Sequence, residues 1–140
     1  SIFRRIKNLN EESNVLMSIG NVYLAKSQYN QAILYYQQAL PIFQKVQDKR
    51  GEVIILTNIG SAYKLISQHG KAIEYYQRAL LILQSVRDYR TKGKILENLG
   101  STLLEKNNVV EAEKILLESV DISESLRLEL DDDQRRSLFE

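Results

Sequence analysis

The sequence predicts an all-α fold, an α-solenoid of stacked antiparallel helix pairs. Two observations indicate this fold: the sequence repeats itself at an interval of 40 residues, and each repeat carries apolar residues three and four positions apart. A third agrees, because the 140 residues include one Pro and six Gly, which leaves few positions that break helices. The repetition is plainest in two stretches, SIGNVYLAKSQYNQAILYYQQAL at 18–40 and NIGSAYKLISQHGKAIEYYQRAL at 58–80.

The 40-residue interval divides the chain into three repeats with a partial segment at each end. Residues 1–8 align with residues 41–48 and are expected to end the second helix of a preceding repeat. Residues 131–140 are expected to start a next or capping helix, because the acids at 131–133 favour the positive end of a helix dipole. The whole chain, 1–140, is therefore expected to be a single array cut from a longer protein. The three repeats are expected at 11–50, 51–90 and 91–130, with helix pairs near 11–47, 51–87 and 91–127.

The first helix of each repeat carries an apolar stripe that passes through a glycine. In repeat one the stripe is Leu16, Ile19, Gly20 and Tyr23, and the glycine recurs at 60 and 100. A glycine inside a helix costs up to ~1 kcal/mol relative to alanine, so three aligned glycines need a reason. We expect close approach of the partner helix, with the aligned alanines 32, 72 and 112 as the opposing small residues. The alternative is that the glycines mark helix ends.

The second helix follows a short polar turn. The turns are expected at 27–30, 67–70 and 107–108, and the helices after them carry Ala32, Tyr36, Ala39 and Ile42 or their counterparts at helical spacing. Pro41 lies inside the first of these helices, where it removes one backbone donor and is expected to produce a kink. The eight tyrosines fall mainly in the repeating positions, so we interpret them as packing residues rather than a base-stacking surface.

These residues resemble the tetratricopeptide repeat (TPR). The pattern Leu16…Ile19-Gly20…Tyr23…Ala32…Tyr36…Ala39 is similar to that family, residues 56–79 repeat it, and residues 96–119 carry a weaker copy. The interval of 40 residues is longer than the usual one, as in kinesin light chains and G-protein-signalling modulators, and residues 39–63 are similar to cyanobacterial arrays. The resemblance implies a right-handed superhelix whose first helices line a concave, peptide-binding groove.

The groove residues expected from this resemblance lie beside the apolar stripe of the first helices. In the family, Asn at the positions of Asn58 and Asn98 often binds the backbone of an extended peptide, which suits an amide that both donates and accepts. Some members clamp a carboxyl-terminal peptide; Asn21, Asn58 and Lys94 match that clamp, but Met17 and Asn98 replace further basic residues. The alternative is that these side chains are solvated helix surface. The full set is Asn14, Met17, Ser18, Asn21, Leu24, Thr57, Asn58, Ser61, Lys64, Lys94, Glu97, Asn98 and Ser101.

The rest of the sequence offers little chemistry. There is no Cys, and the single His69 lies in a predicted turn, so a zinc site lacks ligands. The acids at 131–133 lack the spacing and glycine of a calcium loop. A net charge of +1 gives no basic field for nucleic acid, and no apolar run is long enough to span a membrane. We therefore expect no enzymatic activity, no metal, no cofactor, no nucleic-acid or membrane partner, and a cytoplasmic location.

The expected function is a protein–protein interaction scaffold that binds a peptide or helix in the concave groove. A second hypothesis is that the chain is a regulatory or sensor segment that contacts a downstream catalytic or signalling domain of its own chain. A third is a self-assembling structural solenoid, because an array without polar capping repeats exposes helix faces that favour end-to-end self-association.

Overall fold

The structure, a computed structural model, describes all 140 residues. It contains six α-helices joined by short turns and no strand. The predicted all-α solenoid is confirmed. The helices are α1 (Ile2–Ala25), α2 (Tyr29–Lys45), α3 (Lys49–Leu65), α4 (His69–Leu83), α5 (Tyr89–Glu105) and α6 (Val109–Phe139).

The helices stack in chain order as antiparallel pairs. Each helix packs against the one before and the one after it, and α3 also contacts α5. The first helices α1, α3 and α5 therefore form one layer, and the second helices α2, α4 and α6 form the other. The second helices begin at 29, 69 and 109, which repeats the interval of the sequence.

The core lies in the middle of the stack. Nine residues of α3 and seven of α5 are buried, against two each in α1 and α6. The aligned alanines 32, 72 and 112 are all buried. The inner helices bury more because each packs against two neighbouring helices, whereas α1 and α6 each pack against one.

The aligned glycines lie inside first helices, and an aromatic ring of the second helix covers two of them. A Cβ added to Gly60 would lie 2.8 Å from Cε1 of Tyr76, and one added to Gly20 would overlap the ring of Tyr36. The expected close approach is therefore present. The prediction that alanines face these glycines is wrong, however. A tyrosine ring faces each of the two glycines, and the alanines occupy other buried positions.

The turns inside the repeats span residues 26–28, 66–68 and 106–108, so the first two are shorter than expected and the third is one residue longer. Ser27, Ser67 and Asn107 adopt positive φ of 59°, 60° and 67°, and each ends a first helix with a single left-handed residue. The next helix begins two residues later, so His69 is the first residue of α4 rather than part of the turn. Backbone donors after each left-handed residue return to the helix, as in Gln68 N–H to the Tyr63 carbonyl at 2.9 Å.

The predicted helix breaks near both ends are wrong. Residues 2–8 are part of a continuous α1, and residues 131–139 continue α6. The breaks inside the chain have capping residues: the Asp48 carboxylate accepts from the Gly51 N–H at 2.9 Å, and Asp88 caps α5 in the same way. At 128 the corresponding residue is Leu, which cannot cap, so the helix continues. The division into repeats itself stays a prediction.

Two second helices end at different points. α2 runs through Pro41 to Lys45, whereas α4 ends at Leu83, before the expected 87. Phe43 in the last turn of α2 packs against Gly51. The counterparts in the next repeat are Leu83 and Thr91. The expected kink at Pro41 stays a prediction.

Candidate peptide-binding face

The buried tyrosines reach through the core to polar residues on the first helices. The Tyr36 hydroxyl donates to Oδ1 of Asn21 at 2.6 Å. The Tyr76 hydroxyl lies 3.1 Å from Oγ of Ser61, the corresponding pair one repeat later. Asn21, Ser61 and Ser101 occupy the same position in successive repeats and all belong to the predicted groove. The first two are hydrogen-bonded to buried tyrosines of the core.

Burial shapes the chemistry of these hydroxyls. Burial raises the pKa of Tyr36 above its ordinary value. For Tyr76, burial also raises the pKa, the hydrogen bond to Ser61 lowers it, and the charge of Glu105 raises it. Both hydroxyls therefore stay protonated at neutral pH and serve as neutral hydrogen-bonding groups.

The third repeat replaces the tyrosine with Leu116, and a contact between repeats takes its place. Nζ of Lys64 donates to Oγ of Ser101 at 2.7 Å and lies 3.6 Å from Oε1 of Glu105. Nε2 of His69 lies 3.1 Å from Oε2 of the same carboxylate. This cluster ties α3 and α4 to α5. The sequence analysis did not predict this cluster. One signal was available: Lys64 stands at a position where the first and third repeats carry leucine, Leu24 and Leu104.

Five of the polar or charged groove residues have side chains with no hydrogen bond or ion pair inside the chain. Asn58 and Asn98 are half-buried on α3 and α5, and their amides bond to no other residue. The others are exposed. The set is Asn14, Asn58, Lys94, Glu97 and Asn98.

The remaining predicted residues are occupied by local contacts. Ser18 donates to the Asn14 carbonyl at 2.9 Å, and Thr57 donates to the Val53 carbonyl at 2.7 Å. Both hydroxyls follow the backbone of their own helix, so neither points freely outward. Met17 and Leu24 pack against the hydrophobic core. Only part of each of these two side chains is accessible to a ligand.

The predicted residues do not share one enclosed cavity. Asn14 and Ser18 line an open depression of about 300 Å³ with Val15, Ile19 and Val22 on α1. Lys94 and Glu97 border another of about 380 Å³ between α5 and α6. Asn58, Ser61 and Lys64 lie on α3 beside Ser101 of α5, as the Lys64–Ser101 hydrogen bond shows. The structure therefore brings Lys64 of α3 and Ser101 of α5 into contact, whereas Lys94 and Glu97 lie toward α6.

No group of three or more His, Asp or Glu side chains is placed to hold a metal ion. The acids at 131–133 lie exposed along α6. None of the six helices combines the length and apolar character that crossing a membrane requires.

Comparison with known proteins places this architecture in a family. A family model of the tetratricopeptide repeat matches residues 11–85 and again 51–125. No curated protein matches the chain significantly.

Solved structures of the same kind superpose well at low sequence identity. The TPR domain of Arabidopsis FLU has a TM-score of 0.79 and 16% identity over 84% of this chain and 98% of that one. The first TPR of Spaghetti (RPAP3), bound to the HSP90 peptide SRMEEVD, has a TM-score of 0.65 and 20% identity over 80% and 79%. A Podosopora anserina protein described as a kinesin light chain with nearly identical TPR-like repeats has a TM-score of 0.70 and 16% identity over 81% and 56%.

These likenesses support the fold, and the family model spans most of the chain. By its repeats, its six paired helices and that match, the chain belongs to the tetratricopeptide-repeat family.

Proposed function

We propose that this chain is a non-enzymatic protein-interaction module that binds an extended peptide or a helix across its first helices, centred on Asn58 and Asn98. TPR domains as a class mediate protein–protein interactions, and one structural neighbour is described as bound to an HSP90 peptide. The observation that carries the proposal is the pair of unengaged amides on adjacent helices.

The chemistry of the pair suits a peptide backbone. Each amide offers two donors and one acceptor, which match the carbonyl and N–H of a peptide unit. Because both side chains are half-buried, their positions are restricted before a ligand arrives, and less ordering free energy is needed on binding. The neighbouring Ser61 and Ser101 hydroxyls are held by Tyr76 and Lys64. These bonds hold the surface around the amides in a defined arrangement.

A free terminal carboxylate is a poorer ligand for this face than a main chain. The Oδ1 atom of Asn21 already accepts from Tyr36, and Lys64 is paired with Ser101 and Glu105. Lys94 is the only lysine of the expected groove without such a partner. A single free cation gives the face little selectivity for a carboxylate. We therefore propose that the face recognises the main chain of a peptide. The residues at the ends of the groove would set the preference for particular peptide side chains.

The test is a peptide-library selection on the immobilised chain, followed by titration calorimetry of the enriched peptides. The variant Asn58→Ala with Asn98→Ala should weaken binding by roughly tenfold or more, because each lost hydrogen bond contributes about 1 kcal/mol. The double variant Asn8→Ala with Asn30→Ala makes the same chemical change at exposed sites outside the face and should leave affinity unchanged. Equal affinity of the Asn58/Asn98 variant and the unaltered chain would refute the proposal.

The ligand can also be a segment of the same protein. We propose as the second candidate that the face contacts another domain of a longer polypeptide, as in the cyanobacterial arrays to which the long repeat is similar. The 40-residue spacing of α2, α4 and α6 supports the long-repeat variety. A cytoplasmic location is proposed with it. Selection of peptides that match the parent sequence would favour this candidate over a separate partner.

A further inference from the structure

We propose that a hinge lies between the helix pair α3–α4 and the helix pair α5–α6, and that a polar latch between the two pairs sets its angle. The first junction is the contact of α2 with α3, which are joined by the turn at 46–48. The second junction is the contact of α4 with α5, which are joined by the turn at 84–88. The hinge is the second junction. The latch consists of Lys64, His69, Ser101 and Glu105.

The turn of the second junction lacks a geometry that the other four turns share. Those turns are three residues long, and the middle residue of each has positive φ: Ser27, Gln47, Ser67 and Asn107. Their third residue donates its N–H back to the preceding helix, as Asp48 does to the Phe43 carbonyl at 3.0 Å. The turn at 84–88 has five residues and no positive φ, and the amides of Arg87 and Asp88 bond to no carbonyl of the chain. The link between α4 and α5 is therefore longer than the others, and its last two residues are not hydrogen-bonded to the helix before it.

An open cavity lies beside this turn. At the first junction the buried ring of Phe43 lies so close to Gly51 that a Cβ added to the glycine would overlap it. At the second junction the corresponding residues, Leu83 and Thr91, line a cavity of about 400 Å³ between α3, α4 and α5. Helices packed without voids resist displacement, whereas this space leaves room for the start of α5 to move.

The latch connects the same helices at the other end of α5. Nζ of Lys64 donates to the Ser101 hydroxyl and lies 3.6 Å from one oxygen of Glu105. The other oxygen of Glu105 lies 3.1 Å from Nε2 of His69. Ser101 is twelve residues from the start of α5 at Tyr89, which is about 18 Å of helix, so the latch is well separated from the turn.

The latch is specific to the second junction and is accessible to water. The corresponding residues of the first junction carry no charge; they are Leu24, Tyr29, Ser61 and Leu65. The Glu105 side chain is 49% exposed, so water competes for its contacts and the latch can open and close. When the latch opens, the longer link at 84–88 lets α5 and α6 turn together against α3 and α4.

The hinge angle bears on the candidate peptide-binding face. Asn58 on α3 and Asn98 on α5 lie on opposite sides of the hinge, so its angle sets the separation of the two amides. A ligand that contacts both amides would favour one angle over the others. This consequence for binding rests on the proposed function, whereas the hinge itself does not.

The test measures distances between spin labels on introduced cysteines in the full chain, by double electron–electron resonance. The chain has no Cys of its own, so only the introduced residues are labelled. Leu34, Glu74 and Lys114 hold the same position on α2, α4 and α6, and all three are exposed. The pair Glu74→Cys/Lys114→Cys spans the second junction, and the pair Leu34→Cys/Glu74→Cys spans the first as a matched reference. The pair across the second junction should give the wider distance distribution.

Removing the latch should change only the second junction. Glu105→Ala introduces the residue that α1 carries at this position, Ala25. It should shift the mean distance across the second junction by about 1–2 Å, the scale of helix shifts at packed interfaces, and leave the distance across the first unchanged. Glu124→Ala makes the same change at an exposed residue of α6 outside the latch and should leave both distances unchanged.

A repair variant tests the turn end of the hinge. Leu83→Phe with Thr91→Gly introduces the Phe–Gly pair of the first junction and should narrow the distribution across the second. Circular dichroism checks that each variant keeps its helices.

Three results would overturn the proposal: equal widths for the two pairs in the otherwise unaltered chain, a Glu105→Ala variant whose distances match those of Glu124→Ala, or a folded repair variant that keeps the wide distribution. The measurements use no ligand, so they test the hinge separately from peptide binding, which the Asn58→Ala/Asn98→Ala variant tests.

Discussion

Replacing Gly60 with alanine tests whether the close packing of helix pairs requires glycine. Alanine favours the helical state by about 1 kcal/mol relative to glycine at an ordinary site. At Gly60 the added Cβ would lie 2.8, 3.0 and 3.2 Å from Cε1, Cδ1 and Cζ of the Tyr76 ring. That ring is fully buried and its hydroxyl is bonded to Ser61, so it has little room to retreat.

The expected result is a net destabilisation by Gly60→Ala of about 1–2 kcal/mol, since overpacking of this kind costs about 1–3 kcal/mol and the helical gain offsets part of it. Gly70→Ala is the matched control. Gly70 lies in the first turn of α4 with negative φ, and its nearest neighbour, Nζ of Lys106, is 4.0 Å from the added Cβ. It should stabilise the chain by about 0.5–1 kcal/mol.

Both variants are compared by urea unfolding followed by circular dichroism. The two midpoints should move in opposite directions from that of the unaltered chain. A Gly60→Ala variant as stable as the Gly70→Ala variant would refute the reasoning, because it would show that the Tyr76 ring moves aside without cost.

Three further predictions concern stability. Tyr36→Phe should cost about 1 kcal/mol in urea unfolding, because it removes the hydrogen bond to Asn21; an unchanged midpoint would contradict the bond. Asp88→Ala should destabilise by about 1 kcal/mol at pH 7. The hydrogen bonds from Thr91 lower the folded-state pKa of Asp88, so this loss should begin to shrink as pH falls below the ordinary Asp pKa of about 4 and should disappear only below the lowered folded-state pKa; a pH-independent difference would contradict it. Ser67→Gly should stabilise by up to ~1 kcal/mol, since its φ of 60° suits glycine, and thermal melting would show it.

The helix pairs were predictable because their determinants are local and repeated. Apolar stripes at helical spacing, repeated every 40 residues, predict the helices and their order along the chain. The continuous helices at the two ends of the chain could not be predicted by aligning the repeats. A helix ends where a capping residue and contacts with a neighbouring helix stabilise a turn more than further helical hydrogen bonds would. At Leu128 no cap is present, and continued hydrogen bonding prolongs α6.

The candidate face was predictable in part. Asn58 and Asn98 were expected from family resemblance, and the structure leaves their amides free. The engagement of Asn21 by Tyr36 was missed, although the same offset of 15 residues separates Ser61 from Tyr76 and was visible in the sequence. The Lys64–Glu105 contact depends on how one repeat turns relative to the next, which no single repeat encodes.

The unequal burial along the stack implies unequal rates of local opening. A stack whose units contact only their neighbours opens from its ends, and α1 and α6 bury two residues each. Amide hydrogens of these outer helices should exchange fastest, and those of α3, with nine buried residues, slowest. Asn58 lies on that slow helix and Asn98 on the next most buried one. A ligand held between them would remain bound while both ends of the molecule fray and re-form.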